Sequence, residues 1–238
     1  MRCIVFLCLI LTGCTTGSVK EQAPSPAEIP PTPRATEPPS VTANVEQQPP
    51  FTLVEQALFN GTDLTGWRET PDYNDSGIPN VSVADGCIVL DHGAPQTGIT
   101  WNGAFPRSGY EVTLEAKRVG GSDFFCGMTF PVGDEYCTLI VGGWGGMVVG
   151  LSNVDDLSAV ENETTLGMRF EENRWYRIRL AVARDAIRAW IDGEMLIDLP
   201  RAGHRFGVWE EQEPARPFGI NTWYTAASLR NLRLSPID

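Results

Sequence analysis

Residues 174–199, RWYRIRLAVARDAIRAWIDGEMLIDL, leave little freedom in what this chain can fold into. From Trp175 to Ala183 the apolar side chains of Tyr176, Ile178, Leu180 and Val182 alternate with Arg177, Arg179, Ala181 and Ala183. A period of two is that of a strand with one buried face. Arg184-Asp185 predicts a turn, after which Ile187, Ala189 and Ile191 alternate with Arg188, Trp190 and Asp192. Asp192-Gly193 is a tight-hairpin signal, since both residues tolerate the positive φ of a primed turn. Met195 to Leu199 completes an antiparallel three-strand meander.

The surrounding sequence repeats this grammar. Short strands are predicted at 81–83 and 87–90 around Asp85-Gly86, at 110–119, at 123–130 and 136–141, at 147–151, and at 218–223 and 229–234. The polar, acidic stretch 152–173 reads as a long loop. About ten to fourteen strands punctuated this way predict an all-β sandwich of two antiparallel sheets. It would occupy residues 51–238, a length suited to one domain.

The N-terminal residues have a different character. Residues 1–14, MRCIVFLCLILTGC, join a short basic start to an apolar run too short to span a bilayer. Leu11-Thr12-Gly13-Cys14 resembles a bacterial lipobox, so 1–14 is expected to be a lipoprotein signal peptide with Cys14 the lipidated residue; the alternative is an ordinary secretory signal with a chance cysteine. Residues 15–50 hold half of the chain's 18 prolines and predict a disordered linker that spaces the domain from a membrane. The expected location is the cell envelope. Thr15 after Cys14 favours the outer membrane where there is one. A net charge of −12 argues against nucleic acid as a partner, because phosphate neutralisation needs a basic patch.

Cys87, Cys126 and Cys137 remain in the domain, an odd number. An oxidising compartment permits one disulfide. Cys126 and Cys137 are the candidate pair, flanking a turn near 132–135. Symmetric pairing about that turn would not set them directly opposite, so bridged and free states both stay open.

Leu58-Phe59-Asn60-Gly61-Thr62-Asp63-Leu64-Thr65-Gly66-Trp67 resembles the opening motif of the 3-keto-disaccharide hydrolase family. Asp85-Gly86, Trp175-Tyr176-Arg177-Ile178, Trp190-Ile191-Asp192-Gly193 and Phe218-Gly219-Ile220 followed by 229–234 continue the resemblance in order. It implies a concanavalin-like jelly roll, with action on glycosides oxidised at C3 by hydrolysis or by elimination across C1–C2. Such chemistry needs a base for the C2 proton, an electrophile for the enolate oxygen, of which a divalent cation is one kind, and an apolar wall for the sugar. The resemblance carries over no catalytic residue, because 126–131, 136–141 and 146–152 differ from the usual family strands.

Candidates therefore come from residue type. Asp155, Asp156, Glu161 and Glu163 concentrate carboxylates that could supply a base or hold a cation, with Asp155 and Glu163 as the catalytic candidates. The alternative is a solvated acidic loop. Trp144, Asp123, Trp223 and Tyr224 are the substrate-binding candidates. Trp144 leads them, because flanking glycines let a ligand approach the backbone. His204 stands as base, ligand or plain surface histidine. Glu210, Glu211 and Glu213 read as a solvated loop. Three functions remain open: a carbohydrate-active enzyme, a non-catalytic glycan-binding module and a structural envelope domain.

Overall fold

A computed structural model describes residues 54–70 and 80–237. The expected signal peptide 1–14, with Cys14, and the expected linker 15–50 lie outside the described residues. In chain order the strands are β1 (Gln56–Ala57), β2 (Trp67–Glu69), β3 (Val81–Ala84), β4 (Cys87–Leu90), β5 (Gln96–Trp101), β6 (Tyr110–Gly121), β7 (Cys126–Val132) and β8 (Glu135–Gly142). They continue with β9 (Val148–Ser152), β10 (Leu166–Gly167), β11 (Tyr176–Val182), β12 (Ala186–Ile191), β13 (Glu194–Pro200), β14 (Gly219–Trp223) and β15 (Thr225–Pro236). A 3-10 turn spans Glu210–Ala215.

These strands form two antiparallel sheets. The eight-stranded sheet runs β13-β12-β11-β6-β15-β4-β3, with β1 beside β15. The seven-stranded sheet runs β10-β9-β8-β7-β14-β5-β2. This is the concanavalin-like jelly-roll sandwich that the strand pattern and the opening motif imply. The meander forms as its alternation demands. Tyr176, Ile178, Leu180 and Val182 are buried, and Asp192 and Gly193 take positive φ of 53° and 88° in the turn. Asp192 also ties this turn to β11 through its side chain, its Oδ1 accepting from the Arg177 N–H at 2.9 Å.

The opening motif has a direct structural reason. Asn60 Oδ1 accepts from the N–H groups of Thr62 and Asp63, and Asp63 Oδ1 accepts from Thr65 N–H, so the short polar residues build a self-bonded turn. That turn delivers Trp67 into the core, where its indole N–H donates to Leu58 O at 2.7 Å.

Between the sheets lies one continuous core. Phe105 stacks on Phe218 at 4.2 Å, and Phe125, Phe170 and Tyr176 pack edge to face at 5.0–6.0 Å. Tyr110 of β6 donates its hydroxyl to Pro131 O of β7 at 2.6 Å, a hydrogen bond from one sheet to the other. Burial pushes the Tyr110 phenol well above its ordinary pKa, which keeps the hydroxyl a donor.

Three sequence expectations change. The 152–173 stretch is not all loop, since Ser152 ends β9 and Leu166–Gly167 add an edge strand. β5 was not anticipated, because its residues are buried on both faces and show no alternation. The Cys126–Cys137 bridge does not form. Cys126 pairs with Val141 and Cys137 with Phe130, four positions apart on the β7–β8 ladder and roughly 13 Å at strand rise. Cys87, Cys126 and Cys137 are all free, and burial pushes the Cys126 and Cys137 thiols up to about 12. The native protein should therefore resist iodoacetamide at Cys126 and Cys137, and both should be alkylated once it is denatured without reductant. Mass spectrometry reads the result, and a pair that stays unlabelled in denaturant contradicts this register.

Candidate functional site

The alternation that fills the core also fixes the outer face of the seven-stranded sheet. Met128, Leu139, Leu151, Ile99 and Ile220 point into the core. Their neighbours Thr129, Thr138, Ser152, Thr100 and Asn221 therefore face the other way. All five are buried, and the Glu210–Ala215 turn folds back over the β5–β14 part of this face. Thr100 Oγ1 donates to Pro214 O at 3.2 Å, and Gln96 Nε2 donates to Glu211 O at 3.3 Å. Asn221 Nδ2 donates to Gln96 Oε1, so an amide pair lies under the turn.

This cover is incomplete. Beside it remains a cleft of about 420 Å3. Three tryptophans, Trp144, Trp209 and Trp223, line it together with Phe124 and Ile140. Thr138, Ser152 and Gln212 supply hydrogen-bonding groups, and Asp123 and Glu211 supply carboxylates. Trp144 and Trp209 are each 45% exposed, so wide indole faces stay open to a ligand. A polar floor between aromatic walls suits a ligand with both faces and edges to satisfy, as sugar rings have.

Trp144 owes its position to the segment between β8 and β9. It has φ 47° and ψ 62°, the left-handed region that bulky residues rarely adopt, and glycines surround it. Asp123 holds the segment from the side. Its Oδ1 accepts from Phe124 N–H at 2.8 Å and its Oδ2 from Gly145 N–H at 3.2 Å. Asp123 thus lines the cleft with both oxygens engaged by backbone. Trp223 leans on Phe124 at 6.3 Å and on Tyr224 at 5.8 Å. Tyr224 itself lies outside the lining, exposed and facing His92 at 6.5 Å.

The acidic loop forms a separate cluster. Asp155 Oδ2 lies 2.7 Å from His204 Nδ1, and Glu163 Oε1 lies 3.4 Å from His204 Nε2. Asp155 Oδ1 accepts from Arg205 N–H at 2.9 Å, and Asp156 pairs with the Arg205 guanidinium at 2.7 Å. The structure thus brings both catalytic candidates to His204, outside the lining of the cleft. Asn162 organises the loop from within. Its Nδ2 donates to Leu151 O and Ser158 O, and its Oδ1 accepts from Thr164. Glu161 accepts from Ser158. Among the described residues no three His, Cys, Asp or Glu side chains are placed to hold a metal ion.

Trp209, Glu211 and Gln212 are site residues that residue-type reasoning missed. Their stretch reads as solvated because of its carboxylates. The overlooked signal is a tryptophan next to that acidic run, which has no strand pattern to bury it.

The all-antiparallel sandwich with a partly covered outer face defines a class, the concanavalin-like β-sandwich. The profile of 3-keto-alpha-glucoside-1,2-lyase-like domains matches residues 55–235, and the chain belongs to that family, a carbohydrate-active one. Solved structures of similar fold include the Crh5 transglycosylase in complex with NAG, at 12% identity and TM-score 0.54 over 78% of this chain and 85% of that one. Another is the laminarinase from Flavobacterium sp. UMI-01, at 13% identity and TM-score 0.51 over 77% and 99%. A third is domain 4 of AbnA, a GH43 extracellular arabinanase from Geobacillus stearothermophilus, in complex with arabinotriose, at 14% identity and TM-score 0.50 over 77% and 91%. At these identities the likeness is one of fold. No curated protein matches the chain in sequence.

The Asp155 cluster has a definite pH signature. The Arg205 N–H first, then the His204 side chain, hold the Asp155 carboxyl below its ordinary pKa. Its contacts are therefore complete above the ordinary carboxylate pKa of about 3.9 and are lost as pH falls through the lower, folded value. Protection of the Arg205 amide from hydrogen exchange, corrected for intrinsic rate, should hold from pH 7 to pH 5, collapse below about pH 4, and be absent at neutral pH in Asp155→Asn. Loss already between pH 7 and pH 5 contradicts this assignment.

Proposed function

We propose that the cleft is a carbohydrate site and that the protein acts there on 3-keto-glycosides, by elimination across C1–C2 or by hydrolysis. The observation that carries this reading is the grouping of Trp144, Trp209 and Trp223 around a polar floor with a carboxylate at its edge. Membership of the family supports this choice of substrate class. A ketone at C3 acidifies the C2 proton. Glu211, a carboxylate that lines the cleft, takes the role of base. The proton passes to Glu211, and the C2–H electron pair forms the enolate of C3. The enolate then reforms the ketone as C1=C2 forms and the C1–O bond breaks. The leaving oxygen takes a proton and departs as an alcohol. Gln212, in the same turn and also lining the cleft, offers a side-chain N–H to the enolate oxygen.

The protein is further proposed to be exported and held at the envelope by lipid on Cys14. Palmitate labelling should vanish in Cys14→Ser, with the protein moving to the soluble fraction. Labelling that survives the change refutes the anchor.

A second reading, a non-catalytic glycan-binding module, draws on the engagement of Asp123 by two backbone N–H groups. The two readings separate with methyl 3-keto-α-glucoside as probe. Trp144→Ala should weaken binding about ten-fold, the equivalent of roughly 1.4 kcal/mol of stacking. Glu211→Gln should cut turnover by about 100-fold or more while leaving affinity nearly unchanged. Binding without turnover by the native protein selects the second reading. Turnover that survives Glu211→Gln removes Glu211 from the chemistry and returns the base to the Asp155–His204 pair.

A further inference from the structure

Arg118 is a charged residue at an inward-facing position. Along β6 the side chains of Tyr110, Val112, Leu114 and Ala116 enter the core, and the same alternation sends Arg118 after them. It is 8% exposed. Apart from a peripheral contact of its guanidinium with the Phe125 ring at 5.4 Å, its surroundings are a poor place for a cation. Among the described residues its Nε is buried without a hydrogen-bond partner and no carboxylate forms an ion pair with it, although Glu172 and Asp123 act on it electrostatically. Burial pulls its pKa down, the expected effect on a desolvated cation. The sandwich core would be better served there by an apolar side chain of similar volume.

What Arg118 does make is one directed contact with the opposite sheet. Its Nη2 donates to Gly146 O at 2.9 Å, at the end of the segment that presents Trp144. The fit is close on both sides of that segment. A Cβ on Gly142 would lie 2.8 Å from Nη2, and one on Gly146 would lie 3.0 Å from Nη1 and Nη2. Gly142 and Gly146 also have φ of 83° and 91°, so glycine serves both the conformation and the approach of the guanidinium. Asp123 holds Gly145 N–H from the other direction. Trp144 thus sits in a left-handed conformation just before two anchored residues, Gly145 by its amide and Gly146 by its carbonyl.

We infer that Arg118 is the positioning residue for Trp144: from beneath the cleft it locks the Gly142–Gly146 segment so that the indole stands ready as a sugar platform before any ligand arrives. The role rests on the carbohydrate reading of the cleft, but the locking itself does not. A platform that is already fixed avoids the ordering cost of a free side chain on binding, and this is what a buried cation achieves here that a plain core residue would not.

The test is a double-mutant cycle in the full chain, with the dissociation constant for methyl 3-keto-α-glucoside measured by calorimetry. Arg118→Met and Trp144→Ala should each weaken binding about ten-fold. The double variant should bind no more weakly than Trp144→Ala alone, because Arg118 has nothing left to position. A folded Arg118→Met protein with native affinity overturns the inference, as do two effects that multiply to about a hundred-fold. Arg118→Lys, which keeps the charge but lacks the planar fork, should show the same coupling in a milder form. Failure of both Arg118 variants to fold, while Trp144→Ala folds, assigns Arg118 to the core alone and also overturns it. A native protein that does not bind the sugar refutes the carbohydrate reading instead. The locking is then read without ligand, from acrylamide quenching of Trp144 taken as the difference from Trp144→Phe. Arg118→Met should raise that quenching about two-fold, as expected when a platform loses its fixed orientation, and unchanged quenching overturns the inference.

Discussion

The register of the seven-stranded sheet is the constraint on which the rest of this structure depends. Each residue of β7, β8, β9 and β14 that reaches the core commits its neighbour to the outer face. Met128, Leu139, Leu151 and Ile220 thereby dictate Thr129, Thr138, Ser152 and Asn221. A slip of one residue would bury the threonines in the core and put the apolar row on the outer face. The polar floor of the cleft is thus a by-product of core packing. The eight-stranded sheet obeys the same rule with a different result. Its outer face carries arginines paired with glutamates, such as Arg179 with Glu111 and Arg230 with Glu115, stacked over Trp190 and Trp175. Exposed pairs of that kind contribute little stability, and most of those charges already have partners.

What turns a polar sheet face into a site is the material laid over it. The Glu210–Ala215 turn covers one part and contributes Glu211 and Gln212, with Trp209 just before it. The Gly142–Gly146 segment raises Trp144 at another side, and Trp223 rises from β14 itself. The carboxylates near this face divide by their hydrogen bonds. Asp123 serves the Trp144 segment, while Asp155 and Glu163 serve His204 and the neighbouring loop. In this sense much of the acidity that suggests chemistry in the sequence is architectural in the fold.

The legibility of the sequence follows the range of the interactions involved. The meander was readable because its register is local and its turn residues have a φ preference of their own. The opening motif was readable because Asn60, Asp63 and Thr65 bond one another within six residues. Trp144 could be singled out because its glycines reflect a backbone conformation that only they accommodate. By contrast, β5 hid because both its faces are buried, and Trp209 hid because its value depends on a turn folding back over β5 and β14. The pairing of Asp155 and Glu163 with His204 bridges some forty residues or more, which no spacing rule encodes. The role of Arg118 depends on Gly146, 28 residues further on in the opposite sheet's connection, and so has no local signal.

Hydrogen exchange of the full chain with and without methyl 3-keto-α-glucoside tests the central claim most directly. This account predicts that ligand protection is confined to the segments around residues 122–125, 143–147, 207–213 and 221–224. Protection centred on residues 153–165 and 201–206, or on the outer face of β6, β11 and β15, would contradict it and move the site away from the cleft.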